Sequence, residues 1–209
     1  SSPKADPRNR AAPRAGAPLE PASTFSSRAA MSGSGSSAAR PLLRFEGRVI
    51  AITGSTAGIG LSCARRLLAE GGTVVISSRK AENVDRTVAS LRAEFGDKQV
   101  SGCVCHVGNA DDRAALLKHI ADTHGRLHAL VLNAAVSPPQ PPLLKTNGAL
   151  FDKVMDVNVK SCLLFAQEAA PLLEKEKEHG ASITLVSSVG GFMPGAPHPM
   201  YGLSKTAVF

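Results

Sequence analysis

The chain predicts an α/β fold, a doubly wound parallel sheet wrapped by helices, and two observations carry that expectation. From Phe45 onward, short β-branched runs alternate with longer stretches of helical periodicity, and the first run leads through a glycine-rich turn directly into a helix. Arg48 to Thr53 has the length and apolar character of a buried strand. The helix behind it runs from Ile59 to Glu70 and is stopped by Gly71 and Gly72. Thr73 to Ser78 is the second strand. Residues 81 to 95 place Val84, Val88, Leu91 and Phe95 at helical spacing, and Val100 to Cys105 returns as the third strand. A helix over residues 110 to 123 precedes a fourth strand, Leu127 to Leu132. One long helix is expected from about Ala149 to Glu178, a fifth strand from Ile183 to Ser187, and a last helix beginning at Tyr201. Right-handed crossovers between such strands wind the sheet in both directions.

Composition narrows the classes. With 209 residues, 43% hydrophobic and 4% aromatic, no Trp and a single Tyr, the chain reads as one globular domain with an added segment. No apolar run approaches the roughly 18 residues needed to span a bilayer. Four cysteines, Cys63, Cys103, Cys105 and Cys162, are too few for a disulfide scaffold and show no Cys-x-x-Cys spacing, so a reducing intracellular compartment is expected. The run Cys103-Val-Cys105-His106 puts two sulfurs on one strand face, yet no second ligand cluster accompanies it, and no metal is expected.

The net charge of +7 is unevenly placed. Residues 1 to 44 hold seven basic residues against Asp6 and Glu20, a net of +5, which leaves +2 for residues 45 to 209. A basic surface on the domain is therefore not supported, and nucleic acid is not an expected partner. The first segment is rich in Ser, Ala, Pro, Gly and Arg and lacks periodicity, so it is expected to be a disordered leader. Its acid-poor, Arg- and Ser-rich composition suits an organellar transit peptide, and equally an upstream extension ahead of Met31; cytosol and organelle both stay open. RNA or an anionic membrane held by this tail is the alternative function it raises.

The first strand ends in Thr53-Gly54-Ser55-Thr56-Ala57-Gly58-Ile59-Gly60, and the helix opens at once behind it. Glycines allow a tight turn and close backbone approach to a pyrophosphate, while the helix N-terminus supplies partial positive charge. Gly54, Ser55, Thr56, Gly58, Ile59 and Gly60 are thus candidate cofactor-binding residues of a Rossmann-like domain. A fold of this kind that prefers NAD usually carries an acid near the end of the second strand for the ribose 2′-hydroxyl. Residues 71 to 80 contain none; Ser78 and Arg79 stand there instead. A guanidinium holds a 2′-phosphate through charge-assisted hydrogen bonds worth about 1.5–3 kcal/mol, so NADP(H) is the expected cofactor, preferred about ten- to a hundredfold.

The spacing Gly54-(x)3-Gly58-x-Gly60, with Asn133-Ala-Ala, Asn158-Val-Lys160, Ser188 and Tyr201-Gly-Leu-Ser-Lys205 following in order, resembles the short-chain dehydrogenase/reductase family across residues 45 to 209. Ser77 to Asp85, Cys105-His-Val-Gly108 and Asn133 to Val136 look most like its NADPH-dependent retinal/carbonyl reductase group; a 3-oxoacyl-carrier-protein reductase is the nearest alternative. Tyr201 and Lys205 are four apart and share a helix face. A phenol titrates near 10 alone, and a neighbouring ammonium favours the phenolate.

The resemblance implies an oxidoreductase that moves a hydride between NADP(H) and a small-molecule carbonyl or alcohol. Tyr201 is then the general acid, Lys205 supports it and holds the nicotinamide ribose, and Ser188 hydrogen-bonds the substrate oxygen, with Ser187 as the adjacent alternative. The family gives Asn158 a distorted helix and a water linking Lys205 to solvent, and Asn133 a bracing role at the cofactor pocket. His106 stands where many relatives carry an Asp beside the adenine. Ser137 to Pro142, and Phe192, Met193 and Met200, are candidates for shaping an apolar substrate pocket.

Phe209 lies four residues beyond Lys205 without a helix stop signal, and the first residue is Ser, so the chain is expected to be a fragment with its sheet incomplete at the carboxy-terminal end. Such a fragment is expected not to turn over, and a nucleotide-binding module without catalysis is the corresponding alternative. A homo-oligomer is the implied state of the full-length protein, and a peroxisomal carboxy-terminal tripeptide is a further possibility for it.

Overall fold

The structure, a computed structural model, describes residues 43–193 and 198–209. The expected leader, residues 1 to 44, lies outside the described residues apart from Leu43 and Arg44. Strands β1 (Val49–Thr53), β2 (Thr73–Ser78), β3 (Val100–Val104), β4 (Ala129–Leu132) and β5 (Ser182–Leu185) form one parallel sheet in the order β3-β2-β1-β4-β5. Alternation along the strands divides the core in two. Ile50, Ile52, Val74 and Ile76 pack against α1 (Gly58–Ala69) and α2 (Ala81–Phe95). Val49, Ala51, Val75 and Leu130 face the other way, against α3 (Ala110–His124) and α5 (Ser161–Glu174). Burial on both faces explains why β1 reads as a continuous apolar run rather than an alternating one. β5 is the outermost strand on its side, and all four of its residues are exposed.

Local chemistry sets the element ends. Asn109 Oδ1 caps α3 by accepting from the N–H groups of Asp111 (2.8 Å) and Asp112 (3.1 Å), and Gly125 ends it at φ +72°. Arg113, buried at the first turn of α3, clamps onto Glu168 of α5 through Nε (2.9 Å) and Nη2 (2.7 Å) and reaches Val107 O at 2.9 Å. Glu70 takes hydrogen bonds from Arg44 and Arg66, and these two guanidiniums hold its carboxyl down to about 2. No helix among the described residues is long and apolar enough to cross a membrane.

Two elements differ from the sequence reading. The single helix expected over 149 to 178 is α4 (Gly148–Met155), a π-turn over Asp156–Lys160, and α5, followed by a 3₁₀ turn at Lys177–His179. The π-turn brings Asn158 into the interior, where its side chain has partners on other elements, and a 3.6-residue periodicity carries no trace of such a distant requirement. Beyond α5, Glu176 leaves the helix and turns toward His128. The second difference is α6 (Val189–Phe192), a single turn in a stretch for which the sequence predicted no element. The helix α7 (Pro199–Thr206) opens two residues before Tyr201, with Pro199 in the first turn, where a missing N–H costs nothing.

His128 is locked in one neutral tautomer. Val49 N–H donates to its Nδ1 at 3.0 Å, so the ring proton sits on Nε2, which faces Glu176 Oε2 at 3.3 Å. Burial, the largest cause, pushes the His128 pKa below its ordinary value; it also lowers His119 and His124, which share the Ser101 hydroxyl. The unfolded chain takes up these protons near pH 6.5 while the folded one resists them, so their contribution is present above that value and lost as pH falls through the lower folded-state pKa values. The urea midpoint is therefore expected to drop between pH 7 and pH 5, with a slope of up to about 1.4 kcal/mol per pH unit for each proton. A midpoint that stays flat over this range contradicts the assignment.

Candidate active site

The order of the strands reverses at β1, which is followed on one side by β2 and on the other by β4, so a crevice opens at their carboxyl ends. Thr53 and Asn133 close its floor. Thr53 Oγ1 accepts from the N–H groups of Asn133 and Ala134, both at 3.0 Å, and Asn133 Nδ2 donates to Thr53 O (2.9 Å) and Gly54 O (3.1 Å). These bonds tie Asn133 to the end of β1.

The glycine turn is held at contact distance. Gly54 has φ +64°, and a Cβ on Gly60 would lie 2.6 Å from Gly54 O and 2.7 Å from Asn133 Nδ2. Gly58, at φ +54°, has open space around it and is needed for its conformation alone. Helix α1 starts here with no side-chain cap and no acid in its first turn, leaving its first N–H groups without a side-chain partner. Ser55 turns the other way. Fully buried, its hydroxyl donates to Ile52 O (2.7 Å) and accepts from Ser77 N (2.9 Å), and its own N–H bonds Ser77 O, so it ties β1 to β2 instead of presenting a donor. Thr56 faces a separate hollow between α1 and α2 that Arg65 and Arg86 also line, and Ile59 lies exposed.

The crevice itself measures about 260 Å³ and is lined by Gly54, Ser78, Arg79, His106, Asn133 and Val136 among others. Arg79 is exposed at its edge and belongs to none of the ion pairs among the described residues. His106 curls over Gly108, and its backbone N–H is held by Asp112 Oδ2 at 2.8 Å. Cys105 also lines the wall; burial, the main cause, pushes its thiol up to about 12, so it is a neutral apolar surface. Among the described residues no three His, Cys, Asp or Glu side chains are grouped to hold a metal ion. The glycine cradle, the uncapped helix start and the cation at the end of β2 together fit a phosphate-bearing dinucleotide.

Beside the crevice, α7 carries Tyr201 and Lys205. Lys205 Nζ lies 5.8 Å from the centre of the Tyr201 ring and donates to Val186 O at 2.6 Å. Only 4% of Lys205 is exposed, and burial lowers its pKa from the usual ammonium value, with Cys162 opposing in part. Ser188 and Tyr201 meet around Gly190: a Cβ there would sit 3.5 Å from Ser188 Oγ and 3.7 Å from Tyr201 Cε1. Ser188 Oγ accepts from Gly190 N at 3.1 Å, which leaves its own proton free to be donated. Ser187, the alternative, donates its hydroxyl to Lys205 O at 2.8 Å and thereby fastens α7 to the end of β5.

Asn158, 1% exposed, accepts from Val136 N (2.8 Å) and donates to Val136 O (2.9 Å) and Ser204 Oγ (3.0 Å); Ser204 in turn donates to Tyr201 O at 2.8 Å. It reaches α7 through Ser204, a residue the sequence reading did not single out. Nor did that reading find Gln140, whose Oε1 accepts from Met200 N (2.8 Å) and Tyr201 N (3.3 Å). Met200 is core and not pocket wall, at 2% exposed.

The sequence profile of the family described as short chain dehydrogenase matches residues 48–209. Tropinone reductase-like 3 of Erythroxylum coca is 45% identical over 165 residues, covering 79% of this chain and 62% of the relative. Dehydrogenase/reductase SDR family member 4 of Sus scrofa is 45% identical over 163 residues, covering 78% and 57%. Among solved structures, a short chain dehydrogenase/reductase from Burkholderia phymatum in complex with NAD superposes with a TM-score of 0.72 at 29% identity, covering 78% of this chain and 57% of that one. A 3-ketoacyl-(acyl-carrier-protein) reductase from Brucella melitensis complexed with NADH gives 0.71 at 25% identity, covering 78% and 66%. The chain thus spans about three fifths of the length of the relatives it matches.

The crevice geometry makes a direct prediction. Gly60→Ala drives a methyl into Gly54 O and should destabilise the fold by about 1–3 kcal/mol, more than Gly58→Ala, whose methyl meets nothing. Thermal melts of the two variants check this, and a Gly60→Ala midpoint equal to the parent's would refute the close approach.

Proposed function

Because the chain belongs to the short-chain dehydrogenase family, we propose that it moves a hydride between NADP(H) and a small carbonyl or alcohol substrate, with Tyr201 as the proton donor. The observation that supports this most is the meeting of Ser188, Tyr201 and Lys205 at the carboxyl ends of the parallel strands, the end at which the glycine cradle also opens.

When bound, the reduced nicotinamide supplies a hydride to the carbonyl carbon. Tyr201 gives its phenolic proton to the carbonyl oxygen, and the buried Lys205 ammonium, one turn along α7, stabilises the negative charge left behind. Ser188 donates a hydrogen bond to the same oxygen as charge develops there and keeps its own proton. Ser187 and Val186 hold Lys205 at its carbonyl and at its Nζ, so the cation cannot swing away. Alcohol oxidation runs these steps backward. Val189, Phe192 and Met193, all about three-quarters exposed and following directly on Ser188, favour an apolar carbonyl. Arg79, exposed beside Ser78 with no acid on β2, favours the 2′-phosphate of NADP(H) over the bare ribose of NAD(H).

Two expected outcomes test the reading. Tyr201→Phe should lower kcat by about 10²–10⁴ while nucleotide binding stays, and retained turnover would sink the mechanism. In fluorescence titrations with NADPH and NADH, the parent should favour NADPH about ten- to a hundredfold and Arg79→Asp should abolish the preference; an unchanged ratio excludes Arg79 as the reader of the phosphate.

A further inference from the structure

We propose that Gln140 is a positioning residue for Tyr201: its side-chain carbonyl, carried on a proline-framed loop, caps the helix that bears the proton donor and fixes the backbone of Tyr201 itself. The proposal rests on the role given to Tyr201 above.

Helix α7 lacks a cap of its own. His198, at the N-cap position, makes no side-chain bond to the first turn, and Pro199 has no N–H to offer. The N–H groups of Met200 and Tyr201 are the next two, and both converge on Gln140 Oε1, at 2.8 and 3.3 Å. Two donors on one atom identify it as the carbonyl oxygen, whose two lone pairs are then both used. A residue 61 positions away in sequence therefore does what an Asn or Ser at the N-cap usually does.

The loop is built to hold that oxygen still. Gln140 lies in Ser137-Pro-Pro-Gln-Pro-Pro142, so each neighbour on either side has its φ fixed and little backbone freedom remains to be lost. The loop's base is gripped by Asn158, which bonds both backbone groups of Val136. Its first turn meets α7 again where Ser137 Oγ lies 3.3 Å from His198 Nδ1, and Gln140 Nε2 reaches Ser137 Oγ at 3.5 Å. Tyr201 is thus held on one side through Ser204 by Asn158 and on the other by Gln140, and the two anchors are joined through the segment 136 to 140.

Gln140 is not among the residues that line the crevice, so its loss should act on the chemical step. Gln140→Ala is expected to lower kcat about ten- to a hundredfold, the cost of a small misplacement of the proton donor, with the Kd for NADPH changed less than about twofold. Gln140→Glu presents the same acceptor to a helix N-terminus and should restore kcat to within about threefold. In a Tyr201→Phe background Gln140→Ala should bring no further loss. Amide hydrogen exchange on the 209-residue chain reads the same contact without turnover: protection of Met200 and Tyr201 should fall roughly fivefold in Gln140→Ala and return in Gln140→Glu, with α1 unaffected. Unchanged protection in Gln140→Ala overturns the cap, and an equal loss of kcat with and without the Tyr201 hydroxyl overturns positioning. A parent chain that reduces no carbonyl counts against the proposed function alone, since the exchange result stands apart from it.

Discussion

The buried carboxamide of Asn158 is the contact on which the site is organised. Away from water, each of its polar atoms must find a partner, because an unpaired one costs about 1–3 kcal/mol. It finds them on two other elements: the backbone of Val136, just past β4, and the hydroxyl of Ser204 on α7. Meeting both at once requires a helical residue to point where a regular α-helix would not send it, and the π-turn over Asp156–Lys160 provides the extra residue. The strand that floors the crevice, the helix that carries Tyr201 and the turn between α4 and α5 are thereby set relative to one another by one side chain. The backbone irregularity is a consequence of this pairing, and a regular helix here would leave the amide unsatisfied.

The legibility of the chain follows the range of the interactions. The five strands, their alternation with helices and the turn at Gly54 to Gly60 could be read from the residues because burial of a strand on both faces leaves a local apolar run, and a tight turn leaves glycines. The strictness of Gly60 was legible as a motif, while its reason, a carbonyl 2.6 Å from where a methyl would be, is a contact with chain already folded back. The break at Asn158 left no trace in the helical periodicity, because its cause lies 22 and 46 residues away, and only the family resemblance implied a distorted helix there. Gln140 was hidden for the same reason, and the four prolines around it signalled stiffness without saying what was being held. Ser55 shows the converse: within the glycine motif it looked like a ligand, yet a small hydroxyl at the end of a strand can as readily satisfy the neighbouring strand's backbone.

Adjacent serines illustrate how the fold separates support from chemistry. Ser187 and Ser188 follow β5 in succession with different partners: one secures Lys205 through its carbonyl and the other meets Tyr201 across Gly190. The buried Lys205 is then held at both ends of its length, and its ammonium spends one proton on Val186 O. Desolvation makes that charge costly and lowers the Lys205 pKa.

The chain has one tyrosine and no tryptophan, and that tyrosine stands 5.8 Å from the Lys205 nitrogen. All phenolic ultraviolet absorbance and all intrinsic tyrosine emission from this 209-residue chain therefore originate within the candidate site. A difference spectrum would report the ionisation of a single hydroxyl with no background to subtract, and quenching of that emission would report whatever enters beside it. The same scarcity that makes the chain nearly invisible to routine optical detection makes the site self-reporting, with no label introduced.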